Sequence, residues 1–595
     1  MLNRLADYNP LPKNSINALD RTRGYYVYRV LLGIACLLSV FSIILQYGFV
    51  VSPRMTSGLI ALNVLTVILF FSLTIFKIVT TKRIQSPFRH ASLEIILIVS
   101  LVLEFFIVKW VFPDSRQVIP HLISAYLISL QVYFMFALGK RMFKAGKKLY
   151  LLSFSPATTV AISFIVLIIV GTIALLLPRA THGTLIPNIS FIDALFTSTS
   201  AVCVTGLSTV NTAQDFSRFG QGIILMLIQL GAFGIMIFVG LFAFSFGAGS
   251  SLRSRLVLQD IIVREGGQHV AALMKVMLIT TLVLEGAGAV LLIPSFYGVS
   301  GALGASCFDS IFHSVSAFCN AGFSTFPASL ELFSDSPLVI ITISMLIVCG
   351  GIGFGVVYEI GQWIRRRFIQ KKRAVRLSLH AIIVLKTSAL LIVVGMAAVL
   401  LGTDWSQHSG LDVFLSSLFQ SITTRTAGFN SIPLGAMAPW CLMVMMILML
   451  IGGAPGGTAG GIKVSTVALL FHTARSLLKG RKQVEIRNRT ITQQTIMMAF
   501  VICGLAITYI AVATIALVWA EPDKQFFNLL FEVISAFGTV GLSLGVTPEL
   551  GAIGKMIIII TMYVGRVGPL TVFLGMVRTR DEANYQYPSG SIIIS

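Results

Sequence analysis

Four short phrases hold the residues of this chain best suited to chemistry. Ser200 to Ser208 reads SAVCVTGLS, Ser316 to Ser324 reads SAFCNAGFS, Thr423 to Asn430 reads TTRTAGFN and Ser535 to Ser543 reads SAFGTVGLS. Their central glycines, Gly206, Gly322, Gly428 and Gly541, are separated by 116, 106 and 113 residues. Near-equal spacing over so long a chain points to internal duplication. The third copy is one residue shorter between its hydroxyl residue and its glycine. None of the phrases contains a carboxylate, so their chemical resource is main-chain oxygen. Stacked carbonyls can replace the hydration shell of a monovalent cation. Glycine reaches backbone conformations closed to other residues and sets no side chain beside the ion. The candidate ligand peptides are Val204, Thr205 and Gly206; Asn320, Ala321 and Gly322; Thr426, Ala427 and Gly428; and Thr539, Val540 and Gly541. The plainer reading, small residues that let helices pack closely, would suit one such phrase better than four.

Phrases of this kind need elements to hold them. The chain has 595 residues, 56% hydrophobic and 11% charged, whereas a soluble domain is nearer a quarter charged. Apolar stretches of about twenty residues recur along it, each long enough to cross a bilayer as a helix. They do not alternate as barrel strands do. The reading is an all-α polytopic membrane protein. A formal net charge of +21 would suggest nucleic acid in a soluble protein. Here the basic residues gather in short segments between spans and report orientation instead. The seven cysteines are scattered without a CxxC pair, and MLNRLADYNP shows no cleavable signal pattern.

Twelve spans are expected: 26–48, 57–79, 91–112, 119–139, 157–178, 219–246, 270–294, 337–361, 379–402, 438–475 (interrupted), 494–519 and 553–577. With this count every basic cluster falls on one side. The positive-inside rule makes that side cytoplasmic, with both termini inside a cell (inner) membrane. Each phrase then faces outside. Each also follows an apolar stretch too short to cross: Phe191 to Thr199, Phe308 to Val315, Val413 to Ile422 and Phe527 to Ile534. These read as re-entrant half-helices, whose C-terminal ends direct partial negative charge inward.

Gly452 to Gly461 reads GGAPGGTAGG, with Lys463 just beyond. Helix propensity collapses over Gly452, Gly453, Gly456, Gly457, Gly460 and Gly461, and Pro455 lacks a backbone donor. The tenth span must break in mid-membrane; a kink would need fewer residues. Thr458 can offer a hydroxyl to the path. Arg566 lies inside the last apolar span. A charge there costs at least ~2.5 kcal/mol on insertion scales, so it should face the interior and meet carbonyls freed by the break. A structural counter-charge is the other reading of Arg566; for Lys463 a direct role in gating stands beside snorkelling or local pairing. Asp193, Asp309 and Asn528 precede their phrases and suit N-capping or cation concentration at a mouth. Arg425, inside the third phrase, is expected to face outside and brace the loop or pair with an acid.

VTGLS, NAGFS, RTAGFN and TVGLS resemble the four pore loops of the Trk/Ktr/HKT superfamily of potassium transporters. YVGRVGPLT (Tyr563 to Thr571) is similar to the closing motif of its KtrB type. The resemblance covers roughly residues 150–595. It implies four M1–pore loop–M2 repeats in pseudo-fourfold arrangement, at 151–265, 266–376, 377–490 and 491–595. Residues 1–150 then form an extra N-terminal extension of about four transmembrane helices, which typical KtrB proteins lack. The resemblance further implies K+ (or Na+) as the transported ion, and an intramembrane loop at 452–461 that gates the pore with Arg566 beneath the filter. It implies a homodimer on a cytosolic RCK-type ring (KtrA/TrkA-like), which alone would bind ATP/ADP or NAD. In plant relatives serine at the first filter position accompanies sodium transport, so Gly206 favours potassium. The expected function is potassium uptake without enzyme chemistry. The alternative is a sodium-permeable or ion-coupled secondary transporter, whose design also uses broken helices and repeats.

Overall fold

The structure, a computed structural model, describes residues 156–181, 189–245, 270–370, 376–405, 410–481 and 483–568, with scattered positions between 31 and 72. Beyond those scattered positions, the four expected spans before residue 150 lie outside the described residues, as do the basic segment 251–267 and the end of the YVGRVGPLT motif. The chain divides into two compact units: Met1–Ser153 with Thr184–Ile186, and Phe154–Gly183 with Pro187–Ser595.

In the second unit one order of elements recurs four times: long helix, short helix, glycine loop, helix. The first quarter holds α1 (Pro156–Leu175), α2 (Phe191–Cys203) and α3 (Arg218–Ser245). The second holds α4 (Val270–Ser300), α5 (Leu303–Cys319), α6 (Pro337–Gly351) and α7 (Phe354–Ile364). The third holds α8 (Leu379–Gly402), α9 (Gly410–Thr423), α10 (Pro439–Leu450) and α11 (Val464–Leu478). The fourth holds α12 (Gln493–Ala520), α13 (Phe526–Gly538) and α14 (Ala552–Val567). A two-residue hairpin, β1 (Glu485–Ile486) and β2 (Arg489–Thr490), joins α11 to α12. Among the described residues, Val276–Ser300 of α4, Leu379–Gly402 and Gln493–Ala520 are each long and apolar enough to cross a membrane.

The short helices α2, α5, α9 and α13 end for a local reason. Three stop where the next residue turns left-handed: Val204 (φ 56°), Asn320 (φ 60°) and Thr539 (φ 50°). The reversal is closed by amide bonds back into the helix, Thr205 N to Ser200 O (2.8 Å), Ala321 N to Ser316 O (2.7 Å) and Val540 N to Ser535 O (2.8 Å). That is how an αL cap satisfies the last carbonyls. The third, α9, ends earlier relative to its glycine, and Thr426 (φ 72°) makes the same turn after two further loop residues, Thr424 and Arg425.

The four short helices are buried alike. Phe196, Phe312, Phe419 and Phe531 are each fully buried at matching positions. One face also makes a recurring polar contact. Ser198 Oγ donates to Ile168 O (2.7 Å), Ser314 Oγ to Glu285 O (2.6 Å) and Ser421 Oγ to Ile392 O (2.7 Å). Three residues beyond each acceptor stands Gly171, Gly288 or Gly395, where an added Cβ would overlap the same serine hydroxyl. The duplication in the sequence is thus repeated as one hydrogen bond and one close helix crossing.

One expected span differs from the structure. Span 337–361 is not continuous: α6 and the helix after it meet at a bend of 104°. Gly350, Gly351 and Gly353 lower helix propensity there, and Gly353 adopts φ 93°. Of span 553–577 the structure describes α14 to Val567 and then Gly568 (φ 92°); the rest lies outside the described residues. The interrupted span 438–475 is two helices, α10 and α11, with Ile451 to Lys463 between them.

Candidate functional site

The four loop glycines form a closed ring. A Cβ on Gly206 would meet Ala321 O and Gly322 Cα; one on Gly322 would meet Ala427 O and Gly428 Cα. One on Gly428 would meet Val540 O and Gly541 Cα, and one on Gly541 would meet Thr205 O and Gly206 Cα. Contacts run from each loop to the next and from the fourth back to the first. All four glycines have positive φ (92°, 70°, 78° and 93°), and each added Cβ would lie 2.7 Å or less from a neighbour's carbonyl oxygen. Glycine is required here by backbone conformation and by space together. The flanking Val204, Thr205, Asn320, Ala321, Thr426, Ala427, Thr539 and Val540 are all buried.

The hydroxyl residue that opens each motif braces its own loop. Gly206 N donates to Ser200 Oγ (3.0 Å) and Gly541 N to Ser535 Oγ (3.2 Å). Ser316 Oγ donates to Phe323 O (2.8 Å) and Thr423 Oγ1 to Phe429 O (2.8 Å). A second brace stands behind two of the loops. His313 Nε2 and Ser324 Oγ are 2.9 Å apart, and Glu532 accepts from Ser543 Oγ and from Thr547 Oγ1 (2.7 Å). Thr205 Oγ1 and Thr539 Oγ1 are buried without a protein hydrogen-bond partner, so hydroxyls as well as carbonyls are left near the ring.

The broken segment lies against the inner ends of these loops. Its neck is closed by Gly452 N to Ile462 O (2.9 Å) and Ile462 N to Leu450 O (3.2 Å). Gly452 would set a Cβ 3.5 Å from Thr426 Cγ2, and Gly460 would set one against the Thr539 side chain. Thr458 Oγ1 donates to Phe318 O (3.3 Å), so its hydroxyl is occupied by the end of α5. Three of the segment's backbone groups are met by the bend between α6 and α7. Ala454 N donates to Gly351 O (2.9 Å), Thr458 N to Gly350 O (3.2 Å) and Phe354 N to Gly456 O (3.1 Å). Two broken helices complete each other, as buried backbone groups require. Pro455, which has no amide to place, and Gly453, Gly457 and Gly461 complete the turn.

Three cations bind this segment through carbonyls. Arg566 donates to Thr458 O and to Gly231 O (3.2 Å) of α3. Lys463 Nζ donates to Ala459 O (2.6 Å), a local pairing. Arg425 corrects the expectation that it faces outside: it is buried and donates to Ser388 O (3.3 Å) and Gly452 O (3.1 Å). The early end of α9 turns its side chain toward the break, and a freed carbonyl takes the place of an acid.

The capping expectation for the acids also gives way. Ser190 caps α2 and bonds Asp193, whose other oxygen accepts from Lys555 Nζ (2.7 Å) of α14. Asp309 lies within α5, accepting from the Arg218 guanidinium of α3 and from Thr325 Oγ1 (2.8 Å). Asn528 is inside α13, which Gln525 precedes as cap residue. The two ion pairs join the first quarter to the fourth and to the second. A third feature that sequence reading missed is Glu285 of α4, which accepts from Gln229 Nε2 of α3 at 3.1 Å on both oxygens. A lone acid inside an apolar span is the signal that marks it. Among the described residues no group of three His, Cys, Asp or Glu side chains is placed to hold a metal.

The comparisons with known proteins define a membrane transport protein rather than an enzyme. The family model described as TrkH, a cation transport protein, matches residues 130–586. The chain is 36% identical over 449 residues to the Ktr system potassium uptake protein B of Bacillus subtilis (strain 168), covering 74% of this chain and 96% of the relative. It is 37% identical over 453 residues to the potassium/sodium uptake protein NtpJ of Enterococcus hirae, covering 74% and 97%. The crystal structure of the potassium transporter TrkH from Vibrio parahaemolyticus matches in fold with TM-score 0.56 at 18% identity, covering 83% of this chain and 99% of that one. The chain belongs to the TrkH/Ktr family of cation transport proteins.

Proposed function

We propose that the protein takes up potassium across the cytoplasmic membrane, with ions passing through the ring of Gly206, Gly322, Gly428 and Gly541. The closed order of the four loops carries this reading, because four carbonyl-bearing turns around one axis suit a dehydrated monovalent cation. Relatives named as potassium uptake proteins support it. The quarters act as four M1–pore loop–M2 repeats, at 151–265, 266–376, 377–490 and 491–595, after an N-terminal extension of transmembrane helices. Segment 452–461 is the gate, held shut by Arg566, whose charge opposes cation flow. As membrane partners we infer a second copy of the chain and a cytosolic nucleotide-binding ring, with both termini on the cytoplasmic side. A sodium-permeable pathway is the second reading, favoured by the relative named for potassium and sodium.

The experiment is growth rescue of a potassium-uptake-deficient bacterium at limiting potassium. Wild type restores growth, and Gly322→Ser lowers the preference for potassium over sodium, because its Cβ must displace Ala427 O. No rescue, together with no potassium or sodium flux in proteoliposomes, overturns the reading.

A further inference from the structure

We propose that Arg425 is a positioning residue that fixes the gate segment to the third filter loop, so that filter and gate move as one coupled device. The proposal rests on the reading of the glycine ring as the filter and of 452–461 as the gate. Three residues before the loop glycines stand Cys203, Cys319, Arg425 and Gly538. Three of the four are small. The arginine occurs only in the quarter whose second helix is broken by a long segment, and it grips that break.

The geometry assigns the grip to the neck rather than to the tip. Gly452 O, which accepts from Arg425 Nη2 at 3.1 Å, belongs to the residue whose amide closes the neck onto Ile462. The opposite nitrogen, Nη1, reaches Ser388 O of α8 at 3.3 Å. Arg566 holds Thr458 at the tip instead. The next residue after Arg425 is Thr426, whose φ of 72° begins the filter turn. A shift of the neck is therefore passed by one side chain to the peptide that opens the filter. Arg425 Nε is buried without a protein partner. A cavity of about 30 Å³ lies beside it, lined by Ile347, Ile352, Ser388, Ile422, Arg425 and Gly453. That is space for about one water, and it leaves the guanidinium room to shift with the neck.

The test uses the full chain in proteoliposomes, with potassium and sodium uptake measured separately for wild type, Arg425→Met and Arg425→Lys. Loss of a coupling worth one charge-assisted hydrogen bond lowers the potassium-to-sodium uptake ratio of Arg425→Met about tenfold and raises KM for potassium. Arg425→Lys, with one ammonium for two carbonyls, falls between. A purely packing role would reduce uptake of both ions equally and leave the ratio unchanged, and that outcome overturns the proposal. Wild type without potassium preference would instead overturn the filter reading.

A second measurement needs no variant. Amide exchange of the wild-type protein is compared in potassium and in a large organic cation. Coupling predicts that potassium slows exchange both in the four loops and at 452–464. Slowing in the loops with none at 452–464 overturns the proposal. Slowing at neither site counts against the filter.

Discussion

Helix α3 and helix α6 carry the same glycine pair and treat it differently. In α3 the stretch is Gly231-Ala232-Phe233-Gly234; in α6 it is Gly350-Gly351-Ile352-Gly353. Gly231 packs on Val202 O and Gly350 on Phe318 O, carbonyls four residues before their loop glycines. Yet α3 runs unbroken to Ser245, whereas the chain bends by 104° after α6. Gly565 and Gly568 of the fourth quarter make a third copy, with Gly565 on Phe537 O and α14 ending just before Gly568. Glycine alone costs a helix only about 1 kcal/mol relative to alanine. What separates the cases is who receives the freed backbone groups. Gly350 O and Gly351 O are taken by Thr458 N and Ala454 N, and Gly456 O by Phe354 N. Each such bond contributes about 1 kcal/mol net, and leaving the groups buried and unpaired would cost more. Segment 452–461 is therefore what makes α6 a broken helix, and α6 is what keeps the segment ordered.

The largest effect should come from removing the partner that α6 depends on. Deleting Gly456 and Gly457 takes away the acceptor of Phe354 N and shortens the tip that Arg566 holds. Potassium influx into proteoliposomes should rise several-fold, with loss of control by any regulatory ring. Arg566→Gln should act in the same direction but less strongly, since glutamine can still serve one of its two carbonyls. Its unfolding temperature should stay within about 2 °C of wild type, as expected for roughly 1 kcal/mol in a chain of this size. Unchanged flux in both variants would remove the segment from the permeation path.

An intermediate effect is expected at the bend itself. Gly353 has φ 93°, and an added Cβ would come to 2.8 Å from Pro455 O. Gly353→Ala must either straighten the bend or push the gate segment aside. A shift of about 1 kcal/mol between closed and open states changes the open population about fivefold. Single-channel or flux measurements at fixed protein amount read this directly.

The contrast also explains what could be read in advance. The long segment 452–461 is legible because six glycines and a proline in ten residues leave no helix to argue for. The ring is legible because four spaced copies of one motif constrain each other, and their cyclic order matches that spacing. The bend after α6 is not legible by the same rule: GGIG and GAFG share both outer glycines and differ only in one small and one apolar residue between them, and the deciding bonds come from a segment a hundred residues away. Arg425 fails for a related reason. Its side chain is directed by where α9 ends, and a one-residue deficit before Gly428 does not reveal that α9 stops at Thr423. The ion pairs Arg218–Asp309 and Lys555–Asp193 link quarters whose adjacency follows only from the closed ring.

The smallest effect tests the comparison most sharply. Gly234 occupies in α3 the place that Gly353 holds at the bend. Its backbone is helical, and an added Cβ would sit 3.4 Å from the ring atoms of Phe164, an ordinary contact. Gly234→Ala should therefore leave flux within about twofold of wild type and should raise stability by up to about 1 kcal/mol, through helix propensity and a less free unfolded chain. A thermal melt and an uptake assay on the same preparation give both numbers. If Gly234→Ala instead perturbs flux as much as Gly353→Ala, then α3 also bends during transport. The glycine pair would then be a hinge in the first quarter as in the second, with segment 452–461 only selecting which hinge is open at rest.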